Sequence, residues 1–203
     1  MKITAIKQQV KRADRYSVFV DGKYSFSLSE GALLDQRLAS GQELDEQQLK
    51  ELKEASGNDK AYGNALRYVA MRPRSEWELR DYLRRKDVDE PVAQVIVERL
   101  RHVGLLDDLG FARAWVANRR LLKATSVRKL RLELKQKHVA EDIIDQVLAE
   151  DQTDERDTLR QLAAKKRGRY PDDIKLMQYL ARQGFGYDDI KVVLGELNSA
   201  DEV

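Results

Sequence analysis

Apolar and polar residues alternate along the first thirty positions. Tyr16, Val18 and Val20 keep a period of two, and Tyr24, Phe26 and Leu28 repeat it, which marks half-buried strands. Asp21-Gly22 stands between the two runs and suits a type I′ turn, whose two central positions both need positive φ. With "ITAIKQQV" ahead of them, these runs predict a small three-stranded antiparallel β-meander. Such a sheet is too small to be stable alone, so the segment after it is expected to cover it.

Beyond residue 28 the apolar period lengthens to that of helices. "SEGALLDQRL" and "DEQQLKELKEAS" read as two short helices, with stops near Gly41 and Gly57. A repeated pattern then sets in. Leu79, Leu83 and Val88 return as Leu130, Leu134 and Val139, and again as Leu176, Leu180 and Phe185. Lys86 returns as Lys137, Val92 and Ile96 return as Ile143 and Val147, and the third copy continues with Ile190 and Leu194. Cap residues fall where this reading needs them: Ser75 with Glu78 as a capping box, Ser126 in the second copy, Pro171-Asp172 in the third. Asp89-Glu90-Pro91 opens the next helix of the first copy.

A looser helix precedes each pair: "AYGNALRYVAM", "GFARAWVANRRLL" and "RDTLRQLAAKK". Repetition at this spacing signals helical units that bury their apolar faces only against neighbours. The expected fold is mainly α, with three tandem three-helix repeats in an elongated curved array after the meander. The divisions expected are 1–58 for the meander with two short helices, then repeats over 60–106, 107–151 and 152–203, the last including the tail "NSADEV".

Composition narrows the chemistry. The 203 residues include no cysteine, which excludes disulfides and thiolate metal sites. "MKITAIKQQVKRADR" lacks the apolar stretch of a secretory signal, and no uncharged run is long enough for a membrane span, so a cytoplasmic protein away from membranes is expected. His102 and His138 are the only histidines, and His138 fills the slot that Asp87 fills in the first copy, which suits a solvated helix end better than catalysis. Asp107-Asp108 reads as a helix cap rather than a metal pair, and "GFGYDD" as one helix end and the next cap. Trp77 and Trp115 read as core or helix-packing residues rather than base-stacking ones. No catalytic residue, metal or cofactor is expected, and the chain does not read as an enzyme.

Charge changes the picture more. The formal net charge is +2, but residues 60–138 hold 19 Lys/Arg against 10 Asp/Glu, whereas residues 139–203 hold 9 against 15. Between 111 and 138, Arg113, Arg119, Arg120, Lys123, Arg128, Lys129, Arg131, Lys135 and Lys137 stand against one acid, Glu133. The leucine phase puts Arg128, Arg131 and Lys135 off the buried face. Such a cluster suits phosphates or acidic side chains. Arg84, Arg85 and Lys86 form a smaller cluster in the first copy.

"ALRYVAMRPRSEWELRDYLRRK", "VERLRHVGLLDDLGFARAWV", "KLRLELKQKHV" and "LMQYLARQGFGYDDIKVVL", in that order, resemble the RecX family of bacterial regulatory proteins over residues 60 to about 195. The resemblance implies three three-helix repeats; a monomer is expected, since nothing in the sequence marks a dimer interface. The resemblance also implies binding to the RecA filament on single-stranded DNA, and inhibition of its ATPase, strand exchange and extension. The residues expected to touch RecA or DNA are Arg113, Arg119, Arg120, Lys123, Arg128, Lys129, Arg131 and Lys135, with Arg84, Arg85 and Lys86. Charge reversal at Arg128, Lys129 and Arg131 is expected to weaken regulation and leave the repeat folded. The alternative is a helix-turn-helix-like regulator that binds DNA without RecA.

Overall fold

The computed structural model describes residues 1–201; Glu202 and Val203, the end of the acidic tail, lie outside the described residues. Strands β1 (Ile3–Gln9), β2 (Arg12–Val20) and β3 (Lys23–Ser29) form an antiparallel sheet in the order β1-β2-β3. Asp21 and Gly22 both take positive φ, 47° and 78°, as the turn requires. Ile3, Val18, Val20, Phe26 and Leu28 are buried with Leu44 and Leu52.

Ten helices follow among the described residues: α1 (Glu30–Asp35), α2 (Glu46–Ala70), α3 (Glu76–Arg84), α4 (Glu90–His102), α5 (Asp108–Leu122), α6 (Val127–Gln136), α7 (Glu141–Glu150), α8 (Glu155–Arg167), α9 (Asp173–Arg182) and α10 (Tyr187–Asp201). The chain divides into two compact units. One comprises residues 1–72 and 79–105; the other comprises 73–78 and 106–203.

In the first unit the short-helix expectation needs two corrections. The first helix ends at Asp35, well before Gly41, with Arg37 turning to positive φ. The second does not stop at Gly57: α2 runs unbroken for 25 residues. A glycine ends a helix by taking up positive φ, and Gly57 does not do so. Contacts on both sides hold it helical against a propensity cost of about 1 kcal/mol. Ser56 Oγ donates to Ser27 O at 2.7 Å, and Asp59 accepts from Ser29 N at 2.9 Å and from the Arg15 guanidinium at 2.8 Å. Arg15 is almost fully buried and also donates to Ser27 O. This network ties the meander to the middle of α2, which covers the sheet as expected, while Ala65 and Val69 further along are buried, as are Leu79, Leu83, Ile96 and Leu100.

The second unit holds two apolar cores. Phe111, Val116, Leu130, Leu134, Ile144 and Val147 form one among α5, α6 and α7. Leu159, Leu176, Leu180, Phe185, Ile190 and Leu194 form the other around α8, α9 and α10. The leucines singled out by the repeat are all buried.

The middle helix of each repeat ends in the same way. Asp87, His138 and Gly184 take positive φ, 53°, 55° and 94°. The following residue donates back to the leucine that opens the last turn: Val88 N to Leu83 O, Val139 N to Leu134 O and Phe185 N to Leu180 O. This is the 6→1 bond of a Schellman stop. The expected start of each helix is also present. Glu78 N donates to Ser75 Oγ and Ser75 N to Glu78 Oε2, Lys129 N donates to Ser126 Oγ, and Asp172 accepts from Ile174 N and Lys175 N.

Candidate functional site

The second unit contains two joints built from corresponding residues. At the first, the end of α6 meets residues 75–78. Lys137 Nζ lies 2.9 Å from Glu78 Oε1, and the His138 imidazole stacks on the Trp77 indole with ring centres 4.2 Å apart. His138 is therefore exposed but not simply solvated, and Trp77, at 42% exposure, packs as a lid rather than as core.

At the second joint the end of α9 meets the start of α6. Ser126 Oγ donates to Gln183 O at 2.7 Å, and Lys129 Nζ donates to Gln183 Oε1 at 2.5 Å. A Cβ on Gly184 would stand 2.6 Å from Ser126 Oγ and 3.4 Å from Arg128 Cβ. Glycine is needed there twice over, for its φ and for this close approach.

In repeat register Arg128 replaces Trp77 and Gly184 replaces His138, so the stack is absent. A groove of about 480 Å³ opens instead, lined by Arg128, Lys129, Arg131, Lys135 and Arg182, with Leu132 and Ala181 as its apolar part. No carboxylate lines it among the described residues. Arg128 and Arg182 are exposed, and their guanidinium groups make no ion pair or hydrogen bond with any described residue. A phosphate or carboxylate entering the groove meets two guanidinium charges that no described carboxylate opposes.

The remaining cations are placed differently from the linear count. α7 and the turn after it bring acids to the cluster. Arg113 forks onto Glu150 with two hydrogen bonds of 2.8 Å. That contact, with help from Gln146, holds the Glu150 carboxyl down at about 2. Arg131 bridges Glu141 at 2.5 Å and Asp145 at 2.6 Å, and Lys135 reaches the other oxygen of Glu141 at 2.9 Å. The Lys135 and Arg131 hydrogen bonds lower the Glu141 carboxyl.

Arg119 lies over the Trp115 ring and pairs with Glu133 at 2.6 Å. Arg120, with its side chain 11% exposed, pairs with Asp151 at 2.6 Å and donates to Thr125 O. It serves the fold instead of facing a partner. Lys123 is exposed at the end of α5. In the first unit Arg84 and Arg85 share Asp81 at 2.5 and 3.0 Å, and Lys86 lies over the Tyr82 ring. Tyr82 is itself stacked on Tyr68.

The expected triple reversal is therefore not neutral for the fold. Reversing Arg131 would set glutamate against Glu141 and Asp145, and reversing Lys129 would break its bond to Gln183. Arg182 is the groove residue that charge counting missed. The available signal was structural: a repeat that docks the end of one middle helix on the start of the previous one brings residue 182 to residue 128. Asp107 and Asp108 act as caps, accepting from Leu109 N and from Glu76 N. No helix among the described residues is long and apolar enough to cross a membrane.

These features define a tandem three-helix-repeat protein with an amino-terminal β-meander and an open cationic groove. Four family models match in chain order: the regulatory protein RecX N-terminal domain over residues 1–45, and the RecX first, second and third three-helix domains over 61–100, 107–148 and 154–194. The regulatory protein RecX of Bacillus pumilus is 30% identical over 207 residues, covering 98% of this chain and 79% of that protein. That of Levilactobacillus brevis is 34% identical over 203 residues, covering 97% and 76%. The Lactobacillus gasseri protein is 35% identical over 153 residues, and the match spans only 56% of its length. A crystal structure of regulatory protein RecX superposes with a TM-score of 0.76 at 30% identity, covering 96% of this chain and 98% of that one. The chain belongs to the RecX family.

Proposed function

We propose that this protein is a non-enzymatic cytoplasmic monomer that binds the RecA filament on single-stranded DNA. It inhibits the filament's ATPase, strand exchange and extension, and so acts in recombination and DNA repair. Family membership supports the choice of partner. The observation that carries the choice of surface is the groove at the second joint, where Arg128 and Arg182 stand unpaired among five cations. An acid-free groove with two free guanidinium groups suits a phosphodiester backbone or an acidic protein surface, and guanidinium forks bind either anion in two-point fashion. Arg113, Arg119 and Arg120 leave this proposal as contact residues, since each holds a carboxylate and none lines the groove, whereas Arg131 and Lys135 hold theirs from its wall. Lys129, Arg131 and Lys135 remain as walls, and Arg84, Arg85 and Lys86 as a secondary contact.

The test is the single-stranded-DNA-dependent ATPase of the RecA from the same source, titrated with this protein. Half-inhibition well below one molecule per RecA is expected, because an agent acting on an assembled filament affects many subunits. No inhibition, at concentrations where the protein binds free DNA, would sink the filament reading in favour of a helix-turn-helix-like regulator acting on DNA alone.

A further inference from the structure

On the other side of Lys129 lies a second hollow of about 440 Å³, lined by the end of α5, the turn to α6, the second half of α8 and Tyr179. Its cations are Lys123, Lys165, Lys166 and Lys129 beside the inward Arg120. Lys123 and Lys165 are exposed, and their ammonium groups make no ion pair or hydrogen bond with any described residue. The one carboxylate in the lining, Glu133, is held by Arg119 at 2.6 Å and by the Trp115 indole N–H at 2.9 Å. The local field is therefore positive and uncompensated.

What separates this hollow from the groove is its apolar part. Leu121 is 83% exposed and Leu122 67% exposed, adjacent to each other and both in the lining. At the same distance ahead of the helix caps Ser75 and Asp172, the other two copies carry Ala70-Met71 and Arg167-Gly168. A leucine pair is thus not a requirement of the repeat. Nor does it stabilise the core, because both side chains point to water. Adjacent exposed leucines rimmed by lysines give a surface that offers apolar area and positive charge together.

We propose that this shelf docks an acidic peptide segment of a protein partner, one that carries apolar side chains among its carboxylates. Carboxylates meet Lys123 and Lys165, which steer and orient the segment. Its apolar side chains cover Leu121 and Leu122, which supply affinity that charge alone cannot. A nucleic-acid backbone is the weaker candidate, since phosphates and sugars gain nothing from two leucines. The shelf shares only the Lys129–Gln183 wall with the groove, and the proposal does not depend on the groove's partner.

The test uses the full chain, isotope-labelled, with three probes: a twelve-residue amphipathic peptide of glutamate and leucine, a hexaglutamate matched in charge, and oligo-dT. Amide shifts at residues 121–123 and 165–166 are followed for each. The leucine-bearing peptide is expected to perturb these amides and to bind about tenfold tighter than hexaglutamate. The L121S/L122S variant, at solvated positions that leave the core intact, is expected to erase that preference, and K123E/K165E to weaken both peptides. Equal binding of the two peptides would overturn the proposal by reducing the shelf to bare charge. Oligo-dT displacing the peptide from these amides would overturn it in favour of a nucleic-acid surface. Absence of shifts at millimolar peptide would overturn it outright.

Discussion

The end of α6 on residues 75–78 and the end of α9 on the start of α6 are the same joint made twice, with the same backbone. In both, a Schellman stop with positive φ presents its last turn to a capped helix start, and in both the flanking leucines are fully buried. The side chains facing across the joint differ. The first is closed by the Lys137–Glu78 ion pair and the Trp77–His138 stack. The second has a lysine–glutamine hydrogen bond, and Arg128 over a glycine. The leucines and caps are thus sufficient to form the joint, and the residues across it are free to vary. One joint is sealed by aromatic and ionic contact, whereas the other is left open as a cationic groove. Repetition conserves the frame, and function is written where the frame does not need the side chain.

The largest expected effect breaks the frame itself. Leu134 is fully buried in the core that carries α6, and its carbonyl accepts the Schellman bond of Val139. Leu134→Ala, like Leu130→Ala, is expected to cost about 2–5 kcal/mol from lost burial and the cavity left behind. Urea unfolding measures it. A cost near zero would mean that α6 is not the element that holds both joints.

Next comes the close approach that only the second joint has. Gly184→Ala puts a methyl group 2.6 Å from Ser126 Oγ at a φ of 94°, and is expected to cost about 1–3 kcal/mol. At the first joint His138→Gly relieves a strained φ but loses the indole stack, so its net effect on the unfolding midpoint is expected to be much smaller than that of Gly184→Ala. Equal losses at the two sites would contradict the view that one joint is held by backbone proximity and the other by side chains.

How much of this was legible beforehand depends on the range of the interaction. The Asp21-Gly22 turn, the helix caps and the phase of Leu79, Leu130 and Leu176 are local, and local rules are enough to read them. Gly57 was misread because its helical conformation is enforced by Ser27, Ser29 and Arg15, which lie more than 25 residues away in the sheet. The cation cluster was misjudged for the same reason. Arg113 finds Glu150 and Arg120 finds Asp151 across α7, so a window ending at residue 138 counts the bases without their acids. Arg182 was invisible to any count of the basic repeat, because it comes from the acidic one.

The open joint makes a functional prediction that the sealed one does not. R128E/R182E removes two exposed cations without breaking a described ion pair. Its unfolding midpoint is expected to stay within about 0.5 kcal/mol of the parent. The concentration for half-inhibition of the RecA ATPase should rise roughly tenfold, as when two charge contacts to a polyanion or acidic surface are lost. Inhibition as strong as the parent's would move the contact surface away from the groove.

The smallest effect concerns the cations that the acids of α7 have already claimed. The hydrogen bonds from Arg113, then Gln146, lower the Glu150 carboxyl to about 2, below the value of about 4.3 for a free glutamate. A carboxyl depressed on folding contributes stability that is fully present above the unfolded value and is lost as pH falls through the folded one. The pair should therefore weaken the fold only between about pH 4.5 and 2. Because both groups face solvent, the change is small and is reduced further by salt. Glu150→Gln should flatten that part of the profile in urea midpoints, with a small loss at pH 6 that shrinks at pH 3. An unaltered profile would mean that Arg113 does not hold Glu150 in solution. Arg113 would then return to the set of cations free to meet a partner, and the contrast between an open groove and a neutralised flank would lose one of its sides.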